Sequence, residues 1–258
     1  MTGVSVDQVC EAAATLMEEP GLKGGGRGGQ GEAQGTNRSP SAVAPVPAGP
    51  APLEGVTVFL DRDGTLNYDP GYLKSPAEVK LLPGVPEGLT RLKTAGARLV
   101  VVTNQSGVGR GFFTLKDLEL VHERLQGLLE QEGAVIDAIY FCPHHPDDGC
   151  RCRKPGRAMV DRAVADLHLD LQRSYLVGDH MRDMQLAKAV GARAILLTTE
   201  AVGAKALEML QVEQAMPDKV AKSLVEAADW ILEDAAKTMH SSVAVGERAG
   251  RGQEGGDA

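Results

Sequence analysis

The stretch VTVFLDRDGT, residues 56–65, decides the fold of this chain. Its first five residues form a short apolar run, which is typical of a strand buried on both faces of a sheet. Two carboxylates one residue apart follow the run, and Asp61 and Asp63 would share a face if the strand geometry continued. Gly64 and Thr65 then allow a sharp turn. A buried strand that ends in two carboxylates predicts a polar site at the edge of a sheet.

Strands and helices alternate outward from this stretch. Further strands are predicted at residues 98–103, 135–141, 174–177 and 193–197, with an edge strand at 230–232. Helices are predicted at residues 86–94, 114–132, 157–167, 183–190, 204–210 and 219–227. Thr114 is a preferred N-cap residue, and Gly133 follows the end of the helix that Thr114 begins. The alternation predicts an α/β fold with a doubly wound parallel sheet.

Composition and charge narrow the class of protein. Hydrophobic residues make up 43% of the chain but aromatic residues only 3%, so the core must consist of aliphatic side chains. The net charge is −8 and lysine and arginine do not cluster, so we expect no nucleic-acid partner. No apolar run reaches the length of about 18 residues that a membrane span needs, and no secretory signal is evident at the N-terminus. A cytoplasmic location is therefore expected.

The chain divides into an extension, a domain and a tail. Residues 21–54 are rich in glycine, proline, alanine and serine, so residues 1–54 are predicted to be a disordered low-complexity extension, within which residues 4–19 could form a short helix. Residues 55–236 are predicted to be the folded domain, and residues 237–258 a flexible C-terminal tail.

Polar residues follow four of the predicted strands. Asp61 follows the first strand, Thr103 ends the second, Lys154 lies beyond the third and Asp179 follows the fourth. Ligands of such sheets bind beyond the carboxyl ends of the strands, so we expect these side chains at one edge. Magnesium takes hard oxygen ligands, often one or two carboxylates and a substrate phosphate, and Asp61 and Asp179 can supply the carboxylates. The alternative is that Asp61, Asp63 and Gly64 form an ordinary turn, in which aspartate and glycine are common.

Cysteine and histidine residues cluster after the third predicted strand. The four candidate ligands are Cys142, His144, Cys150 and Cys152. Such a set suits tetrahedral zinc in a closed structural site, and in a reducing compartment the clustering favours a metal over disulfides. Proline and glycine disfavour a helix or strand here, so zinc would order the loop and place Arg153 and Lys154 beside the site. The alternative is a loop with free thiols.

Taken together, the motifs resemble those of the haloacid dehalogenase (HAD) superfamily. They are Asp61-Arg62-Asp63-Gly64-Thr65, Thr103, Lys154 and Gly178-Asp179 with Asp183. The resemblance implies a Rossmann-like sheet with a minimal cap and a magnesium-dependent phosphatase that forms an aspartyl phosphate. It implies that Asp61 is the nucleophile and Asp63 the general acid and then base, with Thr103 and Lys154 as partners of the phosphoryl group. The implied magnesium ligands are Asp61, Asp63 and Asp179, while Asp183 holds the metal through water or orients a neighbour.

The zinc loop followed by Arg-Lys-Pro is similar to one branch of that superfamily, which contains the D-glycero-D-manno-heptose 1,7-bisphosphate 7-phosphatases and the histidinol-phosphate phosphatases. The implied substrate contacts are Asp69, Gly71, Tyr72, Asn104, Gln105, Ser106, Arg110, Arg153 and His180. A bisphosphate sugar needs a second cation, for which Arg153 is the first candidate and Arg110 the second. His180 stands where the heptose enzymes have lysine.

The heptose enzyme is the favoured interpretation, with a small phosphorylated sugar as the substrate and a monomer as the expected state. Three other interpretations remain open at this point. A histidinol-phosphate phosphatase has the same zinc loop, a polynucleotide 3′-phosphatase has a similar second motif, and a scaffold protein on this fold would account for the long N-terminal extension.

Overall fold

A single mixed sheet forms the centre of the computed structural model, which describes residues 14–16, 51–198, 208, 211–212 and 215–250. The strands are β1 (Ala14–Leu16), β2 (Thr57–Leu60), β3 (Arg98–Asn104), β4 (Ala138–Cys142), β5 (Ser174–Gly178), β6 (Arg193–Leu197) and β7 (Lys219–Ala221). Their order is β1-β4-β3-β2-β5-β6-β7. Strands β2 to β7 are parallel, and β1 pairs antiparallel with β4. The predicted doubly wound parallel sheet is confirmed.

Helices cover both faces of this sheet. They are α1 (Val85–Thr94), α2 (Ser106–Gly109), α3 (Leu115–Gln131), α4 (Ala158–Leu167), α5 (Met181–Val190) and α6 (Leu224–Gly250). Alternate strand residues face opposite sides, so Val58 and Leu60 pack in the cluster under α1, α3 and α6, while Phe59 packs in the cluster under α4 and α5. Thr114 caps α3 as predicted, through a reciprocal pair of hydrogen bonds with Asp117.

Two predictions at one edge of the sheet were wrong. Residues 219–227 were predicted to be a helix, but β7 pairs with β6 and α6 begins only at Leu224. Residues 230–232 were predicted to be a strand and lie within α6 instead. The buried residues of that region recur every three to four positions, which is the period of a helix and not of a strand: Leu224, Ala227, Ala228, Ile231 and Ala235. The predicted helix at 204–210 lies outside the described residues except for position 208.

The limits of the folded unit also differ from the prediction. The fold includes residues before 55, because Leu53 is fully buried and its N–H donates to the carbonyl of Ala95 at 2.7 Å. Ala14–Leu16 is a strand rather than part of the predicted helix at 4–19 or of a wholly disordered extension. At the other end, α6 continues to Gly250, so the tail predicted from residue 237 begins inside a helix.

The connection from β2 to β3 carries α1, a single 3₁₀ turn at Pro76–Glu78 and two isolated β-bridges, so no cap domain is inserted there. Within the described part of the chain, no inserted domain covers the carboxyl end of β2. Among the helices that the structure describes, none combines the length and the apolar character that crossing a membrane requires.

Candidate active site

The site lies where the strand order reverses around β2. The chain passes from β2 to β3 and β4 on one side and then returns with β5 on the other side. In β2, Leu60 is level with Val101 and Val177, so Asp61 begins the loop between the ends of β3 and β5. Loops diverge at such a point and leave a crevice that binds ligands. The fold therefore brings the polar strand ends together as predicted.

Three carboxylates and one ammonium group form the centre of the crevice. Oxygens of Asp61, Asp179 and Asp183 all lie within 4.8 Å of one another. The Lys154 Nζ lies 2.8 Å from Asp61 Oδ1 and 2.6 Å from Asp183 Oδ1. If all three carboxylates are ionised, the group has two negative charges in excess of Lys154. Hard oxygen ligands with this excess charge suit a divalent cation such as magnesium.

Burial and mutual repulsion perturb these carboxylates. Burial raises the pKa of Asp61 to about 7, with the Asp183 charge adding to the rise and Lys154 opposing it. Burial and then the Asp183 charge raise the pKa of Asp179 to about 6. Burial alone would lower the pKa of Lys154. The Asp183 and Asp61 charges outweigh burial and raise that pKa far above its usual range. Without a cation, Asp61 and Asp179 are therefore more easily protonated than ordinary aspartates. Carboxylates with pKa values perturbed in this way, in a cleft, are typical of functional sites.

Two glycines let these groups approach each other. Gly64 has a φ of +76°, and a Cβ placed there would lie only 2.0 Å from Asp179 Oδ2. A Cβ on Gly178 would lie 2.4 Å from the Asp183 Cγ. Side chains at these two positions would displace two of the three carboxylates, so the glycines are part of the construction of the site.

The Asp63 carboxylate is held away from the metal group by four hydrogen bonds. Its Oδ1 accepts from Arg62 Nε at 3.0 Å and from Asn67 Nδ2 at 2.9 Å. Its Oδ2 accepts from Arg62 Nη2 and from Gln105 Nε2, both at 2.8 Å. These four donors occupy the lone pairs of the carboxylate. The Asp63 side chain is not part of the carboxylate group, in which Asp183 lies beside Asp61 and Asp179, and the prediction that Asp63 is a magnesium ligand stays a prediction.

Charge and hydrogen bonds keep Asp63 ionised. Burial would raise its pKa, but the Arg62 charge and the hydrogen bonds from Arg62, Asn67 and Gln105 outweigh burial and hold the pKa below its usual value. An ionised Asp63 is ready to act as a base. To carry a proton as an acid, it must open one of its four hydrogen bonds.

Arg62 is itself fixed by His122 of α3, a contact that the sequence did not predict. The Arg62 side chain is fully buried, and its Nη1 donates to His122 Nε2 at 3.0 Å. Arginine can only donate, so the imidazole accepts through Nε2 and carries its proton on Nδ1. Burial and then the Arg62 charge lower the pKa of His122 to about 3, which keeps the ring neutral. The two residues are 60 positions apart, and no local pattern pairs them.

The residues after β3 orient the rest of the site. Gln105 Nε2 donates to Thr103 Oγ1 at 2.9 Å, which leaves the Thr103 hydroxyl hydrogen free to donate into the crevice. Asn104 Oδ1 accepts from the Lys154 N–H at 2.9 Å, and its Nδ2 donates to the Lys154 carbonyl at 3.3 Å. Asn104 therefore fixes the backbone of Lys154 beside the end of β3, which makes it a positioning residue.

Most of the predicted substrate contacts line one cleft with the catalytic residues. They are Asp69, Gly71, Tyr72, Asn104, Gln105, Ser106, Arg153 and His180. Arg153 has a buried Nη1 without a hydrogen-bond partner among the described residues. Arg110 was predicted to contact substrate, but it is exposed and does not line this cleft, because it follows α2 at the outer end of that short helix. Arg182 and Asp183 line the cleft and were not among the predicted substrate contacts.

The four predicted zinc ligands also come together. The Cys142 Sγ lies 3.5 Å from the Cys150 Sγ and 3.6 Å from the His144 Nδ1, which lies 3.1 Å from the Cys152 Sγ. Zinc bonds of about 2.0–2.3 Å would separate tetrahedral ligands by distances close to these. The neighbouring Cys152 thiol lowers the pKa of Cys142 to about 5, despite burial. The donor set and its spacing fit a closed zinc site.

The fold and the site together define a phosphatase of the HAD-like hydrolases, and residues 151–227 match the family model described as HAD-hydrolase-like. The chain is 37% identical over 183 residues to the D-glycero-beta-D-manno-heptose-1,7-bisphosphate 7-phosphatase of Haemophilus ducreyi, which covers 67% of this chain and 97% of that protein. It is 39% identical over 185 residues to the D-glycero-D-manno-heptose-1,7-bisphosphate 7-phosphatase of Thermosynechococcus vestitus, covering 67% and 94% of the two chains. The chain therefore belongs to the family of the D-glycero-D-manno-heptose 1,7-bisphosphate 7-phosphatases.

Solved structures agree with this assignment. The crystal structure of D,D-heptose 1,7-bisphosphate phosphatase from B. bronchiseptica, complexed with magnesium and phosphate, matches with a TM-score of 0.62 and 37% identity. The match covers 69% of this chain and 99% of that one.

Proposed function

We propose that this chain removes the 7-phosphate of D-glycero-D-manno-heptose 1,7-bisphosphate, with magnesium, through an aspartyl phosphate on Asp61. The observation that carries the proposal is that the cleft has a cationic position, Arg153, in addition to Lys154. Lys154 is paired with Asp61 and Asp183, whereas the buried Arg153 Nη1 has no hydrogen-bond partner among the described residues. One cation serves the reacting phosphate, and the planar guanidinium is available for a second phosphate.

Magnesium fits the carboxylate group at the centre of the crevice. Asp61, Asp179 and Asp183 would hold it, because their oxygens lie within 4.8 Å of one another and their charge exceeds that of Lys154. When bound, the ion offsets the repulsion between an anionic nucleophile and an anionic phosphate. The magnesium and phosphate bound in the B. bronchiseptica relative support this assignment.

In the first step, Asp61 attacks phosphorus. Its Oδ1 accepts from the Arg62 N–H at 2.7 Å and faces Lys154, so Oδ2 is the oxygen without a partner among the described residues. A bond forms between Asp61 and phosphorus while the bond from phosphorus to the sugar oxygen breaks. Asp63 gives its proton to the departing oxygen. The Thr103 hydroxyl and the Lys154 ammonium donate to the remaining phosphoryl oxygens.

In the second step, the same acid acts as a base. Asp63, now ionised, takes a proton from water as the water oxygen attacks phosphorus, and the bond between Asp61 and phosphorus breaks. Inorganic phosphate leaves, Asp61 regains its carboxylate, and Asp63 is again protonated. The lowered pKa of Asp63 in the free protein suits the second step. An anionic substrate beside Asp63 raises that pKa and so favours the protonated form that the first step needs.

We propose a structural role for the zinc loop. Cys142 and Cys152 are buried in the cluster under α4 and α5, so a metal held there would join the end of β4 to the core. Cys152 is followed directly by Arg153 and Lys154, two of the cations that line the cleft. A fixed loop would therefore hold both cations in register with the carboxylates. With all four ligands bound, a zinc ion here would have no position left for substrate, which would distinguish this site from a catalytic zinc.

The remaining expectations stay predictions. They are a monomeric state, a cytoplasmic location and the absence of a nucleic-acid partner. The histidinol-phosphate alternative is not favoured, because the relatives described above are named for the heptose bisphosphate.

Phosphate release with magnesium from heptose 1,7-bisphosphate and from histidinol phosphate, measured side by side, tests the proposal. We expect kcat/KM to favour the bisphosphate by about 100-fold, or near 3 kcal/mol in transition-state binding. Arg153→Met should remove most of that preference, and Arg151→Met, an exposed arginine outside the cleft, is the matched control. A preference for histidinol phosphate would overturn the proposal.

A further inference from the structure

We propose that Arg182 is a substrate-binding residue that recognises the second anionic group of the substrate together with Arg153. The inference rests on the proposed function and names a second residue, beside Arg153, that contributes to the preference for a bisphosphate over a monophosphate. It goes beyond the catalytic group, because Arg182 takes no part in the displacement at phosphorus.

Arg182 reaches the cleft from a different element than Arg153. It lies in the first turn of α5, three residues after Asp179, and lines the same cleft as Asp61, Lys154 and Arg153. Its side chain is exposed, and its guanidinium forms no hydrogen bond or ion pair within the described part of the chain. Arg153 comes from the loop after β4, so the two guanidinium groups approach the cleft from two separate segments.

The position of this positive charge is unfavourable unless an anion binds nearby. The first turn of a helix carries a partial positive charge, which disfavours a cation by several tenths of a kcal/mol. Arg182 also shares the cleft with two other cations, Arg153 and Lys154. Although Asp179 and Asp183 are close in sequence, neither pairs with Arg182, and Asp183 pairs with Lys154 instead. An unpaired arginine on an open surface is ordinary, as Arg124 on α3 shows, but Arg182 is unpaired inside the substrate cleft.

His180 does not supply a second fixed cation, because its Nδ1 accepts a hydrogen bond in the helix cap and an imidazole that accepts is neutral. Its Nδ1 accepts from the Arg182 N–H at 3.2 Å, and its own N–H donates to Asp183 Oδ2 at 3.1 Å. The bond to Nδ1 fixes the ring at the start of α5 and leaves Arg182 as the cation of this turn. Arg110, the second cation expected from the sequence, lies outside the cleft. Of the two arginines, Arg182 is the one that lines the cleft.

The test compares kcat/KM for heptose 1,7-bisphosphate with that for heptose 7-phosphate, which lacks only the second phosphate. The proteins are the wild type, Arg182→Met, Arg182→Lys and the matched control Arg124→Met. We expect Arg182→Met to lower kcat/KM for the bisphosphate by roughly 10- to 100-fold and to change the monophosphate by less than about 3-fold. Arg182→Lys should retain part of the preference, because lysine keeps the charge but loses the planar fork. Arg124→Met should match the wild type with both substrates.

Three outcomes would overturn the inference, and the third, which also overturns the proposed function, is distinguishable from the first two. If the wild type prefers the bisphosphate and Arg182→Met keeps that preference, Arg182 does not bind the second phosphate while the proposed function stands. If Arg182→Met lowers kcat/KM equally for both substrates, Arg182 again does not bind the second phosphate. Its role would then be to support α5. If the wild type itself shows no preference for the bisphosphate, the proposed function fails, and the inference fails with it.

Discussion

The carboxylate cleft and the zinc loop lie at the same edge of one sheet, but they are built in opposite ways. The cleft gathers hard oxygen ligands around Lys154, is open to solvent and has an excess of negative charge. The loop gathers three sulfurs and one nitrogen, and three of its four ligands are buried. An open site with incomplete coordination can admit substrate, whereas a closed tetrahedral site can only order the chain.

The difference extends to what each site contributes to stability. Burial raises the pKa values of Asp61 and Asp179, so the cleft costs folding free energy at neutral pH when no cation is bound. Zinc bound at the loop would add folding free energy, by roughly 10–16 kcal/mol in zinc-finger peptides. Substitutions in the cleft should therefore remove activity and spare the fold, and substitutions in the loop should do the reverse.

The largest effect is expected for Asp61→Asn. The variant loses the nucleophile, so we expect kcat to fall by at least about 10⁴-fold with magnesium and the preferred substrate. The same change removes a carboxylate whose burial is unfavourable, so the Tm of the metal-free protein should stay the same or rise. Steady-state phosphate release and thermal unfolding measure the two quantities.

Asp147→Asn is the control for this substitution, because the Asp147 side chain is 89% exposed and lies outside the cleft. Retained turnover in Asp61→Asn would remove Asp61 from the role of nucleophile. A large fall in Tm would show that the cleft supports the fold, and the contrast with the loop would then be lost.

The next effect is on the loop, where Cys152→Ser should act on stability. Loss of one thiolate opens the tetrahedron, so we expect the zinc content to fall from one ion per chain and the Tm to drop by more than about 10 °C. Activity at low temperature should fall less than in Asp61→Asn, because the carboxylates remain in place. Metal analysis and calorimetry provide the readouts.

Cys10→Ser is the matched thiol control for the loop, because Cys10 is far from this cluster in the sequence. The wild-type protein, purified without chelator, should contain zinc. If it contains none and unfolds like Cys152→Ser, the structural role of the metal is contradicted. A chelator that removes only magnesium should abolish activity reversibly and leave the zinc bound.

The smallest effect is expected for His122, which holds the Arg62 side chain in place through a hydrogen bond. Its pKa is lowered to about 3, against 6.5 for the free side chain, chiefly by burial. Below pH 6.5 the unfolded chain binds a proton that the folded chain does not, so His122 costs stability as the pH falls. At pH 5 the cost is about 2 kcal/mol. In His122→Gln, the loss of unfolding free energy between pH 7 and pH 5 should be smaller by that amount.

Urea unfolding at the two pH values measures this difference. His168→Asn is the control, since His168 is exposed and its positive φ suits asparagine. An unchanged pH dependence in His122→Gln would mean that His122 is protonated in the folded protein. Its contact with Arg62 would then need another explanation.

Most of the fold could be predicted because its strands are buried on both faces and read as apolar runs. The exceptions are instructive. Strand β7 has only three residues, too few to show a pattern, and it depends on pairing with β6. Trp230 and its neighbours are apolar enough to suggest a strand, but the packing of α6 on the sheet decides in favour of the helix.

The candidate site was predictable where a motif follows a strand and unpredictable where distant residues meet. Asp61, Thr103, Lys154 and Asp179 converge because parallel strands end at one edge. The contact of Arg62 with His122 joins residues from separate elements, and His122 lies on the helical stripe of α3 like any core residue. Arg110 and Arg182 cannot be distinguished by their charge in the sequence. Arg182 lines the cleft because it lies in the first turn of α5, whereas Arg110 does not line it.

The most direct test of the account is to trap the phosphoryl group on Asp61. In Asp63→Asn, an aryl phosphate should still phosphorylate the nucleophile, because an aryl leaving group needs no general acid, while the missing base slows the second step. After magnesium-dependent turnover, acid quenching and borohydride reduction convert an acyl phosphate to an alcohol that mass spectrometry locates. We predict that the modified residue is Asp61, with none in Asp61→Asn. Turnover without a trapped group, or a group trapped on another carboxylate, would contradict the account.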